Sequence, residues 1–73
     1  MNTWNYRIIR KIDNDGTYFF EIHECHYQNG ELTTWDETPA AAYGEDPDEL
    51  QADLQMMLEA FPRGVLNEED LPE

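Results

Sequence analysis

The sequence predicts an α+β fold in which a three-stranded antiparallel meander is followed by one amphipathic helix. Apolar and polar residues alternate in the first half, two strong turn signals interrupt that alternation, and an apolar stripe of helical period follows. A chain of 73 residues has room for one small core. We therefore expect a single β-β-β-α domain over residues 1–66 and an acidic, flexible tail over residues 67–73.

The three strands are indicated by alternation and by the turns between them. Residues 4–11 alternate as a first strand, and residues 13–16, Asp-Asn-Asp-Gly, form a turn signal because these residue types tolerate positive φ. Residues 17–27 are rich in aromatic and β-branched residues, which favours a second strand. Residues 28–30, Gln-Asn-Gly, are typical of a tight hairpin, so residues 31–36 are predicted as the third strand.

The pattern leaves the register of the second strand open. Phe20 and Ile22 fit one inward face, whereas Phe19, Cys25 and Tyr27 fit the other. A β-bulge in this strand is one way to reconcile the two sets.

A well-capped helix is predicted after a loop over residues 38–44. Asp46 is placed as N-cap, Pro47 as the first helical residue and Glu49 as the third, a variant of the capping box. The apolar stripe consists of Leu50, Leu54, Met57, Leu58 and Phe61. This spacing predicts that the helix packs over the sheet face that carries Trp4, Tyr6, Ile8, Phe20 and Ile22.

One helix covers only one face of such a sheet, so the other face is expected to be open. The residues assigned to it are Ile9, Phe19, Cys25, Tyr27 and Trp35. Several large apolar side chains on one exposed face exceed what a monomer normally tolerates. We therefore expect this face to form a homodimer or to be the hydrophobic centre of a partner site.

The charge of the chain indicates the kind of partner. It contains 17 Asp and Glu against 4 Lys and Arg, a formal net charge of −13. Such a field repels nucleic acid and anionic membranes and attracts basic surfaces, while solubility needs a magnitude of only about 2–8. The expected partner is a basic, nucleic-acid-binding protein surface, with no direct binding of nucleic acid or membrane. The helix carboxylates Asp46, Asp48, Glu49 and Asp53 are the predicted contacts.

Few residues suggest chemistry, and no catalytic, cofactor or metal site is predicted. His23, Cys25 and His26 are the one cluster of metal-ligand types, but a strand points only two of them to the same face and zinc needs four ligands. Serine is absent, and the surroundings of Cys25 are acidic and do not favour a thiolate. We expect a non-enzymatic protein.

Cysteine usage and hydropathy bear on the compartment. A single cysteine forms no intramolecular disulfide, and no segment approaches the roughly 20 apolar residues of a membrane span. The sequence therefore predicts a protein of the reducing cytoplasm.

Several short motifs resemble those of a group of short bacterial proteins that are usually left as hypothetical. The motifs are residues 4–9, residues 22–24, the Asn29-Gly30 turn, Trp35 with Pro39, and residues 49–61. The resemblance covers nearly the whole chain and implies the β-β-β-α fold, but no activity or site residues. In that group an apolar and an aromatic residue are expected where this chain has Cys25 and His26. In size and acidity the chain is also similar to phage-encoded anti-CRISPR and anti-restriction inhibitors.

The leading functional hypothesis is a small acidic binding protein that occupies a basic surface, in its sharpest form a nucleic-acid-mimicking inhibitor of host defence. The alternative is an antitoxin-like or housekeeping interaction module that acts through its open sheet face. A metal-binding protein built around His23 and Cys25 ranks third.

Overall fold

Four strands and one helix build the fold in the computed structural model, which describes residues 1–72. The elements are β1 (Asn2–Ile12), β2 (Tyr18–Gln28), β3 (Glu31–Trp35), α1 (Pro47–Leu58) and β4 (Val65–Asn67). They form one mixed sheet in the order β3-β2-β1-β4, with α1 on one side. The α+β class and the antiparallel meander of β1, β2 and β3 are confirmed.

The fourth strand is a correction to the predicted topology. After α1 the chain makes a 3₁₀ turn at Phe61–Arg63, passes Gly64 at φ 85°, and returns beside β1. β4 pairs with β1 in parallel, with Ile8 opposite Val65 and Ile9 opposite Leu66. A strand of three residues is too short to show an alternation of its own, so the sequence pattern did not reveal it.

The register of β2 is that of plain alternation. All eleven residues of β1 pair with β2, and Ile8 lies opposite Ile22. Phe20 and Ile22 therefore share the face beneath α1, whereas Phe19 and Cys25 lie on the opposite face. Both alternatives for β2 were correct because each described one face. A register shift exists, but it lies between His26 and Tyr27 in the pairing with β3.

The two predicted turns are confirmed, and each has a local cause. In the first turn, Oδ1 of Asp13 accepts hydrogen bonds of 2.9 Å from the backbone N–H groups of Asp15 and Thr17. In the second, Asn29 and Gly30 adopt φ values of 53° and 84°, which an Asn-Gly pair tolerates at little cost.

The start of α1 is also as predicted. Oδ1 of Asp46 accepts a 2.8 Å hydrogen bond from Glu49 N–H, and Pro47 is the first helical residue. Gly44 packs directly against this first turn, where a Cβ would overlap the backbone nitrogen of Leu50. Only glycine fits at this position without displacing the helix.

The core between α1 and the sheet is small. Tyr6 and Ile8 of β1 pack with Met57 and Ala60, and Ile22 and Ala40 lie at its margin. The predicted inward residues Tyr6, Ile8 and Ile22 are therefore confirmed, whereas Trp4 and Phe20 are 44% and 58% exposed.

Candidate interaction surfaces

The sheet face opposite α1, here called the covered face, is closed by the C-terminal segment, residues 65–72. Ile9, His23 and Cys25 on this face have no solvent-exposed surface. Nε1 of Trp35 donates a 2.9 Å hydrogen bond to the carbonyl oxygen of Pro72, which fixes the end of the segment over the sheet. The protein thus has a second small core, on the side where the sequence predicted an open surface.

Residues 67–72, which were expected to belong to an acidic tail, have defined positions in the structure. Asn67 belongs to β4, and Glu68–Asp70 form a 3₁₀ turn. Leu71 and Pro72 are half-buried. Contacts with the sheet therefore continue as far as Pro72, while Glu73 lies outside the described residues. The acidic run looked like a solvated tail because its few apolar residues are spaced too widely to show a period.

Most of the residues that were predicted to form a dimer or bind a partner are buried or half-buried on the covered face. Ile9, Phe19, Cys25, Tyr27 and Trp35 do share one face, as the alternation required. However, Ile9 and Cys25 are fully buried in the single chain, and Tyr27 and Trp35 are half-buried. Phe19 is 37% exposed at the end of the face. A partner reaches Ile9 or Cys25 only if the C-terminal segment leaves the sheet.

A polar cluster lies within the covered face. Nδ1 of His23 is 2.7 Å from the carbonyl oxygen of Asp36, and Nε2 is 3.0 Å from Oε1 of Glu21. Both neighbours of the ring are hydrogen-bond acceptors. The His23 hydrogen bond, followed by that of Lys11, lowers the pKa of Glu21. Lys11 Nζ is 3.0 Å from Glu21 and 3.9 Å from Glu68, which links β1 and β2 to the C-terminal segment.

The cysteine and histidines do not form a metal centre in the described residues. Both ring nitrogens of His23 face other partners, as above, and His26 lies on the opposite side of the sheet. Within residues 1–72 no three His, Cys, Asp or Glu side chains are grouped to hold a metal ion. Burial raises the pKa of the Cys25 thiol and therefore disfavours the reactive thiolate.

The four helix carboxylates predicted to bind a partner have different roles. Asp46 caps α1, and Oε1 of Glu49 accepts a 3.3 Å hydrogen bond from Glu45 N–H. Asp48 is exposed and makes no side-chain hydrogen bond to another residue of the described chain. Asp53 faces the sheet. Of the four, Asp48 and Glu49 are therefore the ones best placed to meet a partner.

Asp53 is a structural residue. Its Oδ1 accepts a 2.6 Å hydrogen bond from the Tyr6 hydroxyl, and its Oδ2 accepts a 2.9 Å hydrogen bond from Tyr43 N–H. Burial, followed by the hydrogen bond to Asp53, raises the pKa of Tyr6. The side chain thus joins α1 to β1 and to the loop before the helix.

This pair of hydrogen bonds coincides with a rotation of α1 away from the predicted orientation. Asp53 and Met57 face the sheet, and at about 100° per residue Leu54 and Leu58 lie about 60° and about 100° round from Met57. The predicted apolar stripe therefore points to one flank of the helix. Leu54 is 46% exposed and Leu58 is 59% exposed. Within the predicted stripe, only Met57 is buried.

A groove lies between the 3₁₀ turn that follows α1 and the sheet. It has a volume of about 220 Å³ and is lined by Ile8, Phe20, Glu21, Ile22 and Phe61. Phe20 and Phe61 are each 58% exposed. We call this groove, together with the exposed Leu54 and Leu58 of α1, the helix-side surface.

A second groove runs along α1 and contains acidic side chains. Glu24 and Glu49 line it together with Tyr43 and Met56. Its volume is about 470 Å³. The two grooves share β2, where Ile22 of the apolar groove and Glu24 of the acidic groove lie on the same face.

The cationic side chains are all engaged in contacts within the described chain. Arg7 donates to the carbonyl oxygen of Arg63 at 2.8 Å, and Arg63 donates to that of Glu59 at 2.8 Å. Arg10 stacks 4.2 Å from the ring centre of Tyr18, and Lys11 pairs as described above. Glu21 and Glu68 are the acids that pair with lysine or arginine within residues 1–72. Most carboxylates of the protein therefore lack an internal cation.

The chain was compared with protein-family models, with curated proteins and with solved structures, and none of them matched. Among the described residues no helix is long and apolar enough to cross a membrane.

Sequence reasoning missed the helix-side surface and the two residues that anchor the helix, Tyr6 and Asp53. An aspartate within an apolar helical stripe was a usable signal. Its position, four residues before Met57, places it on the face that meets the sheet.

Proposed function

We propose that this protein is a small, non-enzymatic binding protein whose carboxylates engage a basic surface of a larger protein. The main support for the proposal is that the cations are engaged within the described chain whereas most carboxylates have no cationic partner there. All four cations are held within the chain, while a net charge of −13 remains on a domain with few ion pairs. A basic partner supplies the missing counter-charges, which favours rapid encounter and strong dependence on salt.

The sharpest form of the proposal is inhibition by mimicry of nucleic acid. Arginine and lysine side chains that hold phosphates also bind carboxylates. Exposed acids at the start of α1, including Asp48 and Glu49, would occupy such a site and exclude the nucleic acid. The acidity that this chain shares with phage-encoded inhibitors of host defence supports this form.

The test captures partners from a bacterial lysate and then measures competition. Immobilised protein is incubated with lysate at about 0.05 M salt and eluted at about 0.5 M salt, where screening shortens the range of the charges. Labelled duplex DNA is then bound to each captured protein. We expect this chain to displace the DNA, and a captured protein that holds DNA and this chain together would contradict mimicry.

Paired charge variants make the test specific. Asp48→Asn with Glu49→Gln should weaken displacement and should leave the Asp46 cap intact. Glu31→Gln with Glu37→Gln removes the same charge from exposed positions in and after β3 and serves as the control. Equal weakening by both variants would mean that net charge acts without a defined acidic site.

An interaction module of antitoxin or housekeeping type is the second candidate. The exposed apolar groove between Phe20 and Phe61 favours it, because such grooves receive the apolar side chains of partners. A module of this kind would act through the helix side of the sheet, since the C-terminal segment occupies the other side.

A further inference from the structure

The helix-side surface contains large apolar side chains that are only half covered by the rest of the protein. Its members Phe20, Leu54, Leu58 and Phe61 are between 46% and 59% exposed although they adjoin the main core. Half-exposure of side chains of this size leaves roughly 100 Å² uncovered on each aromatic ring, so the patch approaches the size that marks interaction sites on monomers.

The negative charge of the protein indicates which kind of partner covers this surface. A second copy of the chain would bring another net charge of −13 to the contact, and the described structure offers no unengaged cation to offset it. The acidic groove along α1, with Glu24 and Glu49, also attracts positive charge. An apolar groove and an acidic groove that share β2 complement a segment that is apolar on one face and cationic on the other.

We propose that the helix-side surface docks a cationic amphipathic helix of the partner. Apolar side chains of that helix enter the groove between Phe20 and Phe61 and cover Leu54 and Leu58. Lysine or arginine side chains of that helix pair with Glu24 and Glu49. This follows the general helix-in-groove mode, in which side chains spaced three or four residues apart act as anchors. The inference rests on the proposed function and adds the docking surface and the kind of segment that it receives.

Two synthetic peptides test the inference. One is a helical peptide of about 14 residues, roughly four turns, with leucine on one face and lysine on the other. Its control has glutamine in place of every leucine and the same charge. We expect the leucine peptide to bind about tenfold more tightly or better, because burial of even one leucine contributes that much. Equal binding of the two peptides overturns the inference, whereas binding of neither peptide overturns the proposed function as well.

Matched variants locate the surface. Leu54→Ser with Leu58→Ser changes side chains that are already largely exposed, so the fold should persist, and the preference for the leucine peptide should disappear. Phe61→Ser is the second variant of the same surface. Phe19→Ser, at the end of the covered face, is the control and should leave both affinities unchanged. Unchanged affinity in the first two variants overturns the inference. Sedimentation that shows a dimer dissociated by them also overturns it, because a second copy is then the occupant.

Discussion

Glu21 takes part both in the polar cluster of the covered face and in a salt bridge. The carboxylate receives the His23 hydrogen bond and the Lys11 ammonium, and both lower its pKa. A carboxyl group whose pKa is lowered by folding stabilises the folded state above its unfolded pKa. That contribution is lost as the pH falls through the lowered value.

We therefore expect Glu21→Gln to lower stability at about pH 6.5 and to have less effect at about pH 3.5, which is below the ordinary glutamate pKa of 4.5. Urea unfolding followed by tryptophan fluorescence at both pH values measures this. Glu31→Gln is the control, because Glu31 is exposed and has no cationic partner in the described structure. A pH-independent effect of Glu21→Gln would show that the ion cluster does not stabilise the fold.

Asp53 and Asp48 provide a second comparison between two acids of one helix. Asp53→Ala leaves the buried Tyr6 hydroxyl and Tyr43 N–H without their acceptor, and should cost about 1–3 kcal/mol of unfolding free energy. Asp48→Ala loses only a favourable interaction with the helix dipole and should cost less than about 1 kcal/mol. Equal costs, measured by chemical denaturation, would contradict a structural role for Asp53.

At the scale of elements, the C-terminal segment is what converts an open sheet into a closed one. β4 extends the sheet beside β1, and Pro72 after it accepts the hydrogen bond of Trp35. Lys11 joins this segment to β2 through Glu68 and Glu21. The segment is therefore part of the folding unit.

Removal of residues 68–73 tests this role. We expect a loss of about 2–3 kcal/mol, since Leu71 and Pro72 lose their packing and Trp35 loses its hydrogen-bond acceptor. The truncation also removes four acids, which by itself relieves self-repulsion. A full-length variant with Glu68→Gln, Glu69→Gln and Asp70→Asn separates the two effects and should be less destabilised than the truncation. Unchanged stability of the truncated chain would show that the segment does not pack on the sheet.

The elements differ in how far the sequence could predict them. The hairpins and the start of α1 follow from local chemistry, namely Asn29-Gly30 for a turn and Asp46-Pro47 for a cap. The rotation of α1 depends on Tyr6 and Asp53, which are 47 residues apart. The position of β4 depends on the free edge of β1. Contacts of this range leave no periodic signal in a single sequence, so the closed face and the exposed groove were not predicted.

The molecule as a whole is less compact than a typical monomer of the same size. Its accessible surface is 5398 Å², against about 4,700 Å² for a typical monomer of its mass. The radius of gyration is 13.1 Å, against about 11 Å. Two thin cores on either side of one sheet account for the difference. The extra surface includes the helix-side surface, which a partner would cover.

The most direct test of this account is a chemical-shift map of the labelled protein titrated with the leucine–lysine peptide. The largest changes should fall on Phe20, Leu54, Leu58 and Phe61, with further changes at Glu24 and Glu49. Ile9 and Cys25 should be unaffected. Changes centred on Ile9, Cys25 and Trp35 would contradict it, because they would mean that the C-terminal segment opens and that the partner binds the covered face.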